Sequence, residues 1–535
     1  MTKKILWILF YIFIFFFLLN NSFSYLDPDL GWHLKVGESI IHEQSVPHIN
    51  YYNYTLENTK WVDHEWLMDI IVFWIYQNLG YLWVNIFFVL IVLILLIVLH
   101  IFAIILLQNA NLILIAPLYI LGLLAMAPHL GVRMQEITLL FLLLLIIILH
   151  YYTKNKNFQL LFCLPILFYV WACSHAGFLI GIFILFFWVA IKLIEFKLYK
   201  YKNKLCFVNF SNILNLKQII IFLLFVCVSI LTTFFTPYKS GLYKFLYNMK
   251  NTFYLTHIQE WLPQYYFPFQ YWQIIYLAVV ITAIMLLFIY AVKQNKNKIN
   301  LWDIFISLFF IFLTFKSKRH FPLLFIVSFP MLICFFKTQI ITNSSRIITN
   351  ISAKIIFIYL TAGLAIISLS QIITTNFSNN PFNSFCNKYP CKAVKFLKQN
   401  QQYDNFNIFN SYTWGGYLIW TYPEKKLFID GRLPQYEFGE HTMLEEYFEF
   451  YDKNKIQNKL KQHNIKLVLL DIKTRKFRLN WFEKYFLDFD EDEINESANT
   501  NNLKDYLDNS NEWQIVYNDN ISNIYVNRIL SSSSQ

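Results

Sequence analysis

Charge is what this sequence has least of. Only 14% of its 535 residues are Asp, Glu, Lys or Arg, against 57% hydrophobic residues that include 55 Phe, whereas an ordinary soluble domain carries about 25% charged residues. So small a polar share cannot cover a soluble fold of this length. The apolar residues fall in runs of about 18 to 25, the length that crosses a bilayer, so the chain reads as a polytopic membrane protein. No small-residue cleavage site follows ILWILFYIFIFFFLL behind the opening MTKK, which argues against a removed signal peptide. The expectation is an uncleaved first span with Lys3 and Lys4 in the cytoplasm. No internal repeat is visible. No long basic tract occurs either: the net charge is +11, but the lysines stand in short clusters between apolar runs, which marks topology and not a nucleic-acid partner. Cysteine is sparse. Five of the seven (Cys163, Cys173, Cys206, Cys227, Cys334) lie in or beside apolar runs as small packing residues.

Beyond the first run, spans are expected at 82–107, 111–129, 135–152, 159–174, 176–194, 217–236, 272–292, 301–315, 320–336 and 354–373, about eleven in all. Segment 66–80 is too short and interrupted to span and suits a helix lying in the interface. The loops this count assigns to the cytoplasm are the Lys/Arg-rich ones: YYTKNKNF, KLIEFKLYKYKNK, KQNKNK and the stretch from Lys337 to Lys354. An odd number of spans puts the C-terminus outside.

Near residue 375 the composition turns soluble. IFNSYTWGGYLIW, KKLFIDGR and IKLVLLD read as short strands or buried turns, and EFGEHTMLEEYFEFYDKNKIQNKLKQHN as a long helical pattern. WQIVYNDNISNIYVNR reads as a closing hairpin, DEDEINESANTNN as a mobile acidic loop, and the serines after Leu530 as a disordered tail. The expected fold is a membrane all-α bundle over 1–375, carrying a first outer loop at 25–66, and an α/β extracytoplasmic domain with parallel pairing over 376–535. Cys386 and Cys391, in CNKYPC at the entrance to that domain, would close a disulfide in an oxidising compartment and stay thiols elsewhere.

The polar residues are gathered, not scattered. Residues 25–66 hold Asp27, Asp29, Asp63 and Glu65 with His33, His42, His48 and His64, groups that are costly beside lipid unless solvated or paired. A carboxylate at Asp29 could act as general base toward an acceptor hydroxyl or amine, could hold a divalent cation such as Mg or Mn with His33 or His64, or could simply cap the helix that follows. PHLGVRMQE offers Arg133, a phosphate-binding fork or a snorkelling side chain. WACSHAGF offers His175, a ligand or a hydrogen-bonded turn residue. THIQEW sets His257 and Glu260 three apart, as on one helix face. FKSKRHFP places Lys316, Lys318, Arg319 and His320 on the side that should avoid positive charge, as a site for a lipid-linked phosphate would require. In FIDGR, Asp430 and Arg432 follow a strand, where they could touch an acceptor glycan or pair structurally.

The layout of one span, an outer loop with the acidic motif DPDLGWH, many further spans and an outer C-terminal domain resembles the GT-C class of integral-membrane glycosyltransferases. That class includes the protein O-mannosyltransferases, the lipid A aminoarabinose transferases and the oligosaccharyltransferases. The likeness is closest to bacterial multi-pass proteins whose order of motifs is matched here by DPDLGWHLKVGE, VPHINYYNYT, KWVDHEWL, GVRMQ, WACSHAGF, TPYKSG, KSKRHFP, YTWGGYLIW and FIDGR, nearly the whole chain. Cys173 and Ser174 before His175, and Met134 after Arg133, depart from that pattern. The resemblance implies catalysis by Asp29 with Asp27 in support. It also implies a polyprenyl-phosphate sugar donor, a glycan, lipid or protein acceptor, and a place in the bacterial inner membrane with the chemistry on the periplasmic face. A flippase for lipid-linked glycans and a non-catalytic envelope scaffold are the competing classes.

Overall fold

The structure is a computed structural model, and it describes residues 3–107, 116–205, 207–248, 252–294, 299–342, 350–375, 377 and 380–528. The serine tail, Cys206, the start of the expected 111–129 span, and parts of the KQNKNK and 337–354 loops lie outside the described residues. The chain divides into two units.

The first unit comprises 1–25, 82–242 and 258–377 and is helical. Among the described residues seven helices are long and apolar enough to cross a membrane: Lys4–Phe23, Tyr81–Leu106, Glu136–Asn155, Phe178–Tyr201, Leu216–Thr233, Tyr271–Val292 and Lys318–Phe336. This corrects the expectation of eleven. The other four expected spans, 111–129, 159–174, 301–315 and 354–373, are represented by shorter apolar helices. Ala116–Met126 gives way at Pro128 to a 3-10 turn, and Cys163–Ser174 begins only after a 3-10 turn at Phe158–Phe162. Leu301–Lys316 has 16 residues, and the apolar part of the last helix runs Phe357–Ile373. At 1.5 Å per residue, the 16 residues of Leu301–Lys316 fall short of a hydrocarbon core about 30 Å thick.

Polar side chains pin some of these helices together. Asn20 donates to the Ser368 carbonyl at 3.0 Å and the Ser368 hydroxyl to the Phe13 carbonyl at 3.0 Å, tying the first helix to Asn350–Thr374. Ser22 and Asn85 hydrogen-bond at 2.5 Å in a fully buried contact.

The second unit is assembled from 26–81, 243–257 and 378–535. The outer loop therefore folds with the C-terminal segment and not with the spans, a grouping that the expected boundary at 375 does not contain. Its centre is a mixed four-stranded sheet built from β1 (Asn407–Asn410), β4 (Ile465–Asp471), β5 (Trp513–Asn518) and β6 (Ser522–Asn527), in the order β1-β4-β6-β5. Only β1 and β4 run parallel; β6 is antiparallel to both β4 and β5. A two-stranded ribbon, β2 (Glu437–Phe438) with β3 (His441–Thr442), completes the strands.

Two local expectations change and one open alternative is decided. KKLFIDGR is a buried extended loop and no regular strand. Its Leu427 backbone bonds the 52–54 backbone through N–H to Tyr52 O at 2.8 Å and Tyr54 N–H to its own O at 3.2 Å. The long helical pattern breaks into the β2–β3 ribbon, turned at Gly439 with φ +63°, and two short helices, Met443–Glu449 and Ile456–Gln462. The acidic segment is a helix, Glu491–Asn499: Asp490 caps it and three acidic residues in the first turn face the positive helix end. The closing hairpin is present as β5 and β6, and a disulfide joins Cys386 to Cys391.

Candidate functional site

In the second unit, three motifs far apart in sequence meet on glycines. Leu30–Glu43 is helical, and a β-carbon on its Gly31 would lie 2.0 Å from the carbonyl oxygen of Gly416, in the short helix Gly415–Thr421. A β-carbon on Gly416 would in turn lie 2.1 Å from the Pro28 carbonyl oxygen, and one on Gly431 would lie 2.0 Å from Asp29 Oδ1. DPDLGWH, WGGYL and DGR are thus in backbone contact, and only glycine allows the approach. A fourth glycine, Gly37, brings the same helix against Asp69 in the helix Trp66–Leu79, where a β-carbon would lie 2.2 Å from the Asp69 carbonyl.

Asp29 occupies the N-cap position of Leu30–Glu43, yet its carboxylate makes no capping bond. Instead Oδ1 accepts from Trp32 Nε1 at 2.9 Å, and the Asp29 amide donates to Asp27 Oδ1 at 2.9 Å. Burial, then Asp27 beside it, raise the Asp29 carboxyl to about 6 against the pull of His33 and the Trp32 bond, with Asp430 adding to the rise. A half-buried carboxyl that changes charge near neutrality and is not used to close a helix can take up a proton during a reaction.

His33 Nδ1 stands 2.6 Å from Asp69 Oδ1, and its Nε2 3.8 Å from Glu65 Oε2. His64 Nε2 lies 3.9 Å from Glu65 Oε1. Asp63 and Asp69 are 1% and 0% exposed. Burial, then Asp69, push Asp63 well above the carboxylate range; burial, then Glu65, do the same to Asp69. Asp69 escapes sequence reasoning because it sits in the apolar run WLMDIIVFWIY; its spacing of four from Glu65 on one helix face is the only signal for it.

Arg432 and Asp430 form a bidentate buried pair, with Nε to Oδ1 at 2.9 Å and Nη2 to Oδ2 at 2.8 Å. Nη2 also donates to Asn50 Oδ1 at 3.1 Å and Asn53 Oδ1 at 3.0 Å, while the guanidinium lies 4.8 Å from the Tyr52 ring centre and 4.7 Å from that of Trp61. The pair closes the first loop onto the C-terminal segment within this unit, which favours the structural alternative for it.

In the first unit, Glu260 bridges two arginines: Arg133 Nη1 to Oε1 at 2.5 Å and Arg319 Nη1 to Oε2 at 3.5 Å. Burial opposes the Glu260 charge, but the two guanidiniums outweigh it and hold the carboxyl down to about 2. Arg319 also lies over the Trp261 ring at 4.8 Å. His257 does not share a helix face with Glu260: it ends the helix Thr252–His257, extended Ile258 intervenes, and its ring stacks on Phe253 at 3.7 Å. Lys316 is exposed and lies over Phe312, and His320 ends a 3-10 turn at Lys318–His320. His175 Nδ1 accepts from the Gly177 amide at 2.9 Å and the Thr138 hydroxyl at 2.8 Å, so it is a turn residue as in the simpler reading.

Among the described residues, the one group of three metal-ligating side chains with all ligand atoms within 4.8 Å of one another is His441, Glu446 and Glu449, which could coordinate a divalent cation. Lys459 competes there: its Nζ lies 2.8 Å from Glu446 Oε2 and contacts Glu449, while His463 Nε2 takes Glu446 Oε1 at 2.6 Å. Asp29, His33 and His64 form no such group. Neither the family models nor the curated proteins include a match to this chain.

Proposed function

We propose that the chain is an integral-membrane glycosyltransferase of GT-C type. It would move a sugar from a polyprenyl-phosphate donor to a glycan, lipid or protein acceptor on the periplasmic face of a bacterial inner membrane. The observation that carries the reading is Asp29, a carboxyl raised to about 6, bonded only from Trp32 and pressed against Gly431. In the proposed reaction Asp29 takes the proton of the acceptor hydroxyl or amine, the acceptor atom bonds to the anomeric carbon, and the carbon–oxygen bond to phosphate breaks. Within the first unit, Arg133 and Arg319 are the proposed cations for binding a phosphate. Asp27, through the Asp29 amide, fixes where that carboxylate points. The disulfide supports an oxidising side for the second unit.

The test is transfer from labelled polyprenyl-phosphate sugars by the purified chain beside Asp29→Asn and Asp27→Asn. Turnover that survives both substitutions removes the catalytic assignment. One observation favours a transporter of lipid-linked glycans: the buried ion pair Lys192–Glu195 at 2.9 Å inside the helix Phe178–Tyr201, since ionisable groups within spans mark transport paths. Flipping of a labelled lipid by Asp29→Asn, with no sugar moved by the parent chain, would decide for that reading.

A further inference from the structure

The arginine pair of the first unit is already occupied by a carboxylate of the same chain. Three cations, Arg133, Lys318 and Arg319, and the carboxylate Glu260 stand in the field of His129. The next acid, Glu136, points its Oε1 at the Gly131 amide, 2.7 Å away. Lys318 gives its ammonium to two carbonyls, Tyr266 at 2.7 Å and Pro268 at 3.0 Å, so its charge is solvated but not neutralised.

A second observation points to a missing acceptor. Gln264 Nε2 donates to Gln273 Oε1 at 2.6 Å, and Gln273 Nε2 donates to the Ala125 carbonyl at 3.1 Å and to His129 Nε2 at 2.9 Å. That chain makes His129 Nε2 an acceptor and leaves the ring proton on Nδ1. His129 is 6% exposed and its Nδ1 has no partner. A buried N–H without an acceptor is costly. The same ring stands in the field of two guanidiniums whose planar forks suit tetrahedral oxyanions.

We propose that Arg133, Arg319 and His129 form a phosphate-binding site in which Glu260 is the resident occupant, displaced when a phosphate-bearing ligand enters. This rests on the reading of Arg133 and Arg319 as phosphate cations and adds that the chain blocks them itself until ligand arrives. Glu260 suits the role. Its side chain is 32% exposed, and its 3-10 turn Gln259–Trp261 is bounded by extended residues at Ile258 and Leu262, so it can swing without unwinding a long helix. With Glu260 withdrawn, the two guanidiniums it contacts can turn their donors to the phosphate oxygens.

The experiment compares the purified full chain with Glu260→Gln, titrating inorganic phosphate in one arm and farnesyl phosphate in detergent in the other. The expected result is at least tenfold tighter binding by Glu260→Gln, cancelled by adding Arg319→Ala. Tightening in both arms assigns the site to phosphate itself, and tightening only with farnesyl phosphate assigns it to a lipid-borne phosphate. Should Glu260→Gln be unstable, phosphate must raise its melting temperature more than that of the parent chain, because a ligand that binds only the folded state stabilises it. Unchanged or weaker binding in both arms, or equal thermal shifts, overturns the proposal. Neither readout uses sugar transfer, so a failed transfer assay and a failed displacement are separate results.

Discussion

Gly431 and Asp29 touch: a β-carbon on Gly431 would fall 2.0 Å from Asp29 Oδ1 and 3.0 Å from Asp29 Cγ. The tip of a short side chain can rotate away from such an intrusion, whereas backbone cannot. Gly431→Ala is therefore expected to fold with a stability change below about 1 kcal/mol and to lower the transfer rate by about 10- to 100-fold through misplacement of the carboxylate. Unfolding curves and single-turnover transfer on the same preparation check both halves. An alanine variant with full turnover would dissociate Asp29 from the chemistry.

Asp29→Asn should separate activity from stability. Loss of the base is expected to cost at least about 100-fold in rate, and the parent rate should climb as pH passes about 6, where the base ionises. For stability the sign is opposite. The folded carboxyl binds its proton more tightly than the ordinary value of 3.8, so this contribution is complete below that value and is lost as pH rises through about 6. At pH 7 the charged form burdens the fold, and Asp29→Asn is expected to relieve about 1–3 kcal/mol of it. Denaturation at pH 7 and pH 4 measures this, with the gain confined to the higher pH.

Gly31→Ala and Gly416→Ala meet backbone carbonyls, at 2.0 Å and 2.1 Å, and the helices must part to accept them. Each is expected to cost about 3 kcal/mol, the upper range for overpacking. The double variant should cost less than the sum, because one separation relieves both clashes. Thermal unfolding of the solubilised chain is the measurement.

Arg432→Met leaves Asp430 buried, 0% exposed, without its bidentate partner. The expected loss is about 3–5 kcal/mol, and Asp430→Asn in the same chain should recover much of it. Arg432→Lys should not rescue, since a point charge cannot bond Asp430, Asn50 and Asn53 together.

Much of this was legible from residue order alone, and the remainder was hidden for physical reasons. Seven of the spans and the closing hairpin follow from apolar run length and strand alternation, whereas the Cys386–Cys391 pairing was one of two readings that the spacing left open. Asp29 stood out because acids are rare in so apolar a chain. The gathering of DPDLGWH, WGGYL and DGR did not, because a glycine's partner across a close contact leaves no trace in its own neighbourhood. Residues 437–464 kept a helical period although the Gly439 turn and the Thr442–Glu445 capping box restart the chain there. The run at 159–174 exceeds the helix it forms because its first residues belong to the 3-10 turn Phe158–Phe162, and the run at 111–129 ends in the 3-10 turn Ala127–His129.

The second unit draws on three separate stretches, 26–81, 243–257 and 378–535, and this sets an order of events during synthesis. When residues 26–81 leave the ribosome, the glycines that pack against Asp29 have not been made, and every long apolar helix must be laid down before they are. The acidic loop waits through most of translation before Gly416 can seat on Pro28 and Gly431 on Asp29. A chain stopped before residue 378 would therefore keep all the described long apolar helices and every acid of the first loop, yet lack the glycine that presses on Asp29.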